Sequence, residues 1–248
     1  MRINVHAGHN AAGKVACGAV SILNESRENR KVAKELIRLL RIDNTVYDCT
    51  VDNAEDVNKN LQEIAAKCNA HEVDLDVSIH FNSGAKNKKG NGKVTGTEVW
   101  VTENKGIKRV VGENICNNMK RLGFTNRGIK KTSGLYILNH TKAKAILIEV
   151  CFVDDLDDAR LYRKVGYKAV ARAIAEGIVG GKIDERPKYK AVRNVNIRKS
   201  PTIHSDKLGA IKKGETIKKG IPVENNWLKT DRGYIRIKGL KTYLKREK

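Results

Sequence analysis

Arg2-Ile-Asn-Val-His-Ala-Gly-His9 stands near the start of the chain, and the fold turns on how this stretch is read. Ile3 and Val5 alternate with polar residues until Gly8 breaks the run, which is the pattern of a β-strand. His9 follows at once, just past the strand's carboxyl end. In open α/β sheets ligands bind at that rim, because loops converge there over a sheet that holds them still.

Downstream, strand-like runs alternate with helical ones as far as residue 181. Residues 25–41 place Val32, Leu36, Leu39 and Leu40 on one helical face, and Thr45 to Thr50 is expected as a strand. Asp52 is placed to cap a helix striped by Val57, Leu61, Ile64 and Cys68, since a carboxylate there accepts free backbone N–H groups. Leu75 to His80 alternates as a strand closed by Phe81-Asn-Ser-Gly84, and Gly84 to Gly96 has the Lys, Asn and Gly content of a solvated loop. Thr97 to Thr102 is a strand, Val111, Ile115, Met119 and Leu122 mark a helix, and Ala145 to Val150 is a nearly all-apolar strand. Leu161, Val165, Ala169, Ala173 and Ile174 line a long helix ending near Gly177 to Gly181. The alternation, with one strand apolar throughout, predicts an α/β fold: a mostly parallel sheet with helices on both faces.

Composition changes at Lys182. All three prolines (Pro187, Pro201, Pro222) lie beyond residue 181, and no cysteine does. The short apolar runs Val195 to Ile197, Leu208 to Ile211, Thr216 to Lys218, Trp227 to Lys229 and Tyr234 to Ile237 are separated by turn-rich segments. That is the pattern of a small all-β barrel. The expected organisation is a domain over residues 1–181, a linker over 182–190 and a barrel over 191–248.

Net charge is +21, and it is unevenly placed. Residues 182–248 hold 20 of the 49 basic side chains but 7 of the 28 acidic ones, so +13 sits on the last 67 residues. Such a tail calls for a polyanionic partner: nucleic acid, an acidic membrane or an anionic wall polymer. No zinc finger, aromatic RNA-binding set or phosphate-binding loop supports the first. No apolar run approaches the ~18 residues of a membrane span. With β-strand pattern from residue 2 there is no signal-peptide stretch, so the product is expected to be made in the cytoplasm. The five cysteines (Cys17, Cys49, Cys68, Cys116, Cys151) are odd in number and lack paired spacing, which predicts small buried hydrophobes rather than disulfides or thiolate ligands.

Four residues carry candidate chemistry. His9 and His80 end strands on the ligand-binding rim, and a loop after the first strand can fold Glu25 back over it. Each has a plainer reading: a rim histidine can simply be hydrogen-bonded, and an acidic residue at a helix start is favoured by the helix dipole. Together, two histidines and a glutamate form a ligand set for catalytic zinc that leaves a position for water. His6 is the rival to His9, but if the strand persists that far, alternation turns its ring away from the rim loop. Glu28, one turn beyond Glu25, is the rival to Glu25. Glu149 interrupts the apolar run Ala-Ile-Leu-Ile-Glu-Val-Cys-Phe, where burying a carboxylate costs several kcal/mol unless compensated. It is either half of a structural ion pair with Lys or Arg, or a general base raised in pKa by burial.

His6-Ala-Gly-His-Asn10, Ser78-Ile-His-Phe-Asn82, Arg127-Gly-Ile-Lys130 and Ile146-Leu-Ile-Glu-Val150, in that order, resemble the motifs of the zinc-dependent N-acetylmuramoyl-L-alanine amidases of the type 3 family, and most closely phage endolysins of Gram-positive hosts. The resemblance implies zinc ligands at His9, Glu25 and His80 and a catalytic glutamate at Glu149. It also implies a peptidoglycan substrate, and an enzyme that reaches the cell wall after release from the cytoplasm. The chain departs from the family at His6-Ala-Gly-His-Asn-Ala, where Asp-Pro-Gly-His-Gly-Gly is frequent, and at Cys151, where glycine is usual. Asn196-Ile-Arg-Lys-Ser-Pro201, Gly209 to Gly214, Trp227-Leu-Lys229 and Gly233-Tyr-Ile235 resemble a bacterial SH3-type wall-binding domain, with Trp227 expected in its core. The other functional classes are a zinc peptidase cutting within the stem peptide, and a nucleic-acid-binding protein explained by charge alone.

Overall fold

The opening alternation forms strand β1 (Arg2–Ala7), and β1 lies inside a six-stranded sheet with β2 (Thr45–Asp48), β3 (Leu75–Asn82), β4 (Thr97–Val101), β5 (Asn126–Lys131) and β6 (Ala145–Phe152). This computed structural model describes residues 1–185, 188–217, 220–239 and 241–246. The strand order is β2-β1-β3-β6-β4-β5. Every neighbouring pair is parallel except β4 with β6, which run antiparallel. The sheet is therefore parallel-rich, with one reversed junction between its two halves.

Helices α1 (Glu25–Leu40), α2 (Val57–Asn69), α3 (Gly106–Arg121), α4 (Tyr136–His140) and α5 (Leu156–Val179) cover the sheet. Alternate strand residues (Ile3, Val5, Val77, Ile79, Val99, Ile146 and Ile148) pack with Val32 and Leu36 of α1, Val111 and Ile115 of α3, and Val170 and Ile174 of α5 into the main core. The residues between them face α2 and α4: Ala145 and Leu147 meet Leu138, while Ile64 and Cys68 pack with Cys49 and Ile137. That second face also buries polar side chains, among them Asn4, His6, Asp76 and Ser78. Cys49, Cys68, Cys116 and Cys151 are buried and Cys17 half-buried, all as free thiols.

Several boundaries differ from the sequence pattern. α2 begins at Val57, so Asp56 rather than Asp52 caps it, accepting from Lys59 N. Asp52 instead accepts from Arg30 Nε at 2.8 Å. β3 runs on through Asn82 because Phe81, 2% exposed, is held in the core, and the register against β6 shifts between His80 and Asn82. α5 is broken at Gly166, whose φ of 78° and ψ of 151° only glycine adopts without strain. β5 (sequence NRGIKK) and the five-residue α4 escape prediction because neither carries a readable apolar period.

The chain divides into two compact units, Met1–Ile183 and Asp184–Lys248. The second is all-β among its described residues: β7 (Tyr189–Ala191), β8 (Val195–Arg198), β9 (Lys207–Ile211), β10 (Thr216–Ile217), β11 (Ile221–Val223), β12 (Trp227–Thr230), β13 (Gly233–Arg236) and β14 (Leu244–Arg246). They pair antiparallel as β10-β7-β14 and β11-β12-β13-β8-β9 around Val195, Ile197, Ile211, Leu228, Ile235 and Leu244. Trp227 is buried. Tyr189 and Lys190, assigned to a linker by composition, are strand residues, since the Tyr189 ring joins that core. Pro187 and Lys218, which marked the composition change and a predicted strand, lie outside the described residues.

Candidate metal centre

Three segments bring the site together at the carboxyl rim of β1 and β3. Gly8 N still donates to Ile79 O at 3.0 Å, and the backbone then turns through His9, whose φ of 61° is left-handed. Such a conformation in a non-glycine residue costs about 1–3 kcal/mol and is held only by its surroundings. Here Arg30 holds it, its Nη2 donating to His9 O at 2.8 Å and its Nη1 to Gly8 O at 3.3 Å. Residues 10–24 fold back so that Glu25 opens α1 over the rim, behind the Asn24 N-cap. Glu25 Oε2 accepts from Ala19 N at 2.9 Å, and Oε1 from Phe81 N at 3.2 Å.

Glu25 Oε1 also lies 2.9 Å from His80 Nδ1 and 3.3 Å from His9 Nε2, with the two imidazoles edge to face at 4.9 Å. One ligand atom from each of His9, Glu25 and His80 lies within 4.8 Å of the other two, the one such group among the described residues. Zinc–ligand bonds of ~2.0–2.1 Å in a tetrahedron place ligand atoms roughly 3.3 Å apart, so this spacing and this N,N,O set fit zinc. His6 lies outside the group: it is fully buried within β1, and burial with the nearby His80 lowers its pKa to about 3. Glu28 is turned away as well, accepting from Tyr162 Oη and Lys31 Nζ.

The electrostatics favour an ionised Glu25. Burial pushes the Glu25 carboxyl upward, but hydrogen bonds from His80 and His9 more than offset it and hold it well below the usual range. Burial lowers His80, against the raising effect of Glu25. Metal ligation uses a carboxylate and unprotonated imidazoles, so the ionised Glu25 and the lowered His80 both favour it.

Glu149 stands beside this cluster. In the register of the sheet it is directly opposite His80 on β3 and Glu98 on β4. Its Oε2 is enclosed and has no hydrogen-bond partner, and no Lys or Arg pairs with it among the described residues. Burial first, then the charges of Glu25 and Glu98, raise its pKa well above the carboxylate range. The structural ion pair belongs to Glu98, whose Oε2 is 2.7 Å from Arg127 Nε.

Some residues of the site were not evident from the sequence. A Cβ on Gly8 would fall 2.0 Å from His80 Cε1, and one on Gly18 2.5 Å from Glu25 Oε2 and 2.8 Å from His9 Cδ2. Both positions must lack a side chain for the ligands to seat. Gly8 signalled only a strand end, and Gly18 signalled nothing. Glu98 and Arg127 are joined across β4 and β5, a pairing that no spacing in the chain discloses.

Comparison with known proteins places the first unit. The family model for N-acetylmuramoyl-L-alanine amidase matches residues 3–179. An uncharacterized protein of Clostridium perfringens (strain 13 / Type A) is 35% identical over 237 residues, 88% of this chain and 68% of the relative. A second uncharacterized Clostridium perfringens protein, of 38.4 kDa, is 35% identical over 180 residues, and the match spans 51% of its length. Among solved structures, the catalytic domain of an endolysin targeting Clostridium difficile superposes with a TM-score of 0.64 at 30% identity, covering 74% of this chain and 99% of that domain. The catalytic domain of an N-acetylmuramoyl-L-alanine amidase from Paenibacillus polymyxa shares the fold, with a TM-score of 0.59 at 24% identity over 73% of this chain and 97% of that one.

Proposed function

The chain belongs to the N-acetylmuramoyl-L-alanine amidase family, whose reaction is peptidoglycan hydrolysis, and on that footing we propose that it cuts the lactyl–L-alanine amide with zinc held by His9, Glu25 and His80 and with Glu149 as the proton-handling group. The observation that carries this reading is the convergence of both histidines on one oxygen of Glu25, with Glu149, whose Oε2 has no partner among the described residues, in register beside His80. Bound zinc supplies Lewis acidity toward the scissile carbonyl and toward water.

The chain's own residues do the rest. Glu25 is locked by Ala19 N and Phe81 N, so the ligand set is preorganised. Glu149, raised in pKa and without a counter-ion among the described residues, takes a proton from the attacking water and gives it to the amide nitrogen as the C–N bond breaks. The products are a free lactyl carboxyl and an L-alanyl amine. The second unit, a small barrel of SH3 type carrying the excess basic charge, holds the enzyme on an anionic wall, where even weak binding raises local substrate concentration. Its lineage is that of an endolysin, as the 30%-identical catalytic domain suggests.

Digestion of purified cell wall tests the reading. New L-alanine amino termini are expected, abolished by chelation and restored by zinc. New termini on another residue identify a stem peptidase instead, and full activity in excess chelator with no metal present overturns the metal centre.

A further inference from the structure

Beyond Glu149 the rim carries a second polar assembly. Glu98 lies directly across from Glu149 and is buried, at 3% exposed. Its Oε1 accepts from Asn82 Nδ2 at 2.8 Å and Trp100 Nε1 at 3.1 Å, and its Oε2 from Arg127 Nε at 2.7 Å. The Arg127 guanidinium also stacks over Phe152, 5.0 Å from the ring centroid and three residues past Glu149 on β6. Held by a fixed carboxylate and an aromatic face, this arginine keeps one orientation. Its side chain nonetheless remains 35% exposed, and neither Nη makes a hydrogen bond among the described residues.

An arginine needed only to balance Glu98 would be satisfied by the Nε bond. What is left is a planar pair of donors, already immobilised and bonded to no protein acceptor among the described residues, which is the form that recognises carboxylate in a bidentate manner. The immobilisation also removes most of the side-chain ordering that binding would otherwise require. Adjacent strands lie ~4.8 Å apart, so a guanidinium resting on Glu98 is about one strand spacing from the strand of Glu149. An extended peptide advances ~3.5 Å per residue, so the residue after L-alanine reaches that position when the scissile amide is at Glu149.

We propose that Arg127, oriented by Glu98, binds a free carboxylate on the residue that follows L-alanine in the stem peptide, and so sets preference for substrates in which that carboxylate is not capped as an amide. This rests on the amidase reading and specifies its substrate. The test compares kcat/KM on two soluble muramyl-L-alanyl peptides that differ only in a carboxylate or a carboxamide on the next residue. The wild-type enzyme is expected to favour the carboxylate by about tenfold or more, mainly through KM. Arg127→Gln should bring the ratio to near one, and Arg127→Lys should leave an intermediate ratio. Because both substrates are run on one preparation, any loss of folded enzyme cancels. A wild-type ratio of one, or a ratio that Arg127→Gln leaves unchanged, overturns the arginine subsite while the amidase reading stands. Cleavage of neither peptide by wild-type enzyme that digests cell wall at another bond overturns both.

Discussion

Gly8→Ala is the most economical probe of the metal centre, because it adds one methyl group and replaces no ligand. The new Cβ would sit 2.0 Å from Cε1 of His80, 2.1 Å from Nε2 and 2.7 Å from Nδ1. Carbon contacts settle at ~3.5–4.0 Å, so the ring must retreat by roughly 1.5–2 Å. It cannot do so in place: Nδ1 is 2.9 Å from Glu25 Oε1, and the His9 ring stands 4.9 Å away. Either the ring leaves Glu25 or the turn at His9 opens. Misplacing a catalytic group by ~1 Å costs on the order of 100-fold in rate. We therefore expect turnover to fall at least 100-fold and zinc to be lost on desalting. Gly8 is not among the positive-φ glycines, so the alanine backbone is unstrained and the metal-free variant should melt within a few degrees of metal-free wild type. Gly134→Ala, whose Cβ would meet only Thr132 Oγ1 at 3.6 Å, is the control and should change none of these. A Gly8→Ala enzyme that retains one equivalent of zinc and near-wild-type turnover would refute the packing of His80 against this backbone.

Other expectations concern separate parts of the molecule. Glu149→Gln should retain zinc and fold while kcat falls about 1,000-fold; turnover within tenfold of wild type would remove Glu149 as the proton carrier. Asp158 is buried and accepts from Phe152 N and Gly96 N, and burial outweighs those bonds to raise its pKa to about 6. Since the folded value lies above the unfolded one, its contribution to stability is complete below about pH 4 and is lost as pH rises to about 6, some 3 kcal/mol in all. Urea unfolding from pH 4 to 7 should show that loss in wild type and a flatter profile in Asp158→Asn; parallel profiles would contradict the assignment. Met1–Ile183 expressed alone should fold and cleave a soluble muropeptide yet sediment poorly with cell walls, and undiminished sedimentation would count against the second unit as an anchor.

Periodicity along the chain was enough to establish the α/β class and most of its elements. An apolar residue at every second or every third to fourth position states which face an element buries, whatever it is buried against. The same local logic marked His9, His80 and Glu149 as misplaced polarity at strand ends or within an apolar run, and the change at Lys182 led to the expectation of a second domain. Periodicity could not show that β4 runs against β6, because strand direction depends on how residues 83–96 return across the sheet. Nor could it choose Glu25 over Glu28, two acids in the first turn of one helix. Only the fold of residues 10–24 aims the first at the histidines and leaves the second to Tyr162. The close packing of the ligand side chains on Gly8 and Gly18, the shared register of His80, Glu149 and Glu98, and the Arg127 fork likewise belong to the tertiary structure. Burial preferences are written residue by residue, whereas a site is a set of distances between residues far apart in the chain, and those come into being only when the sheet has assembled.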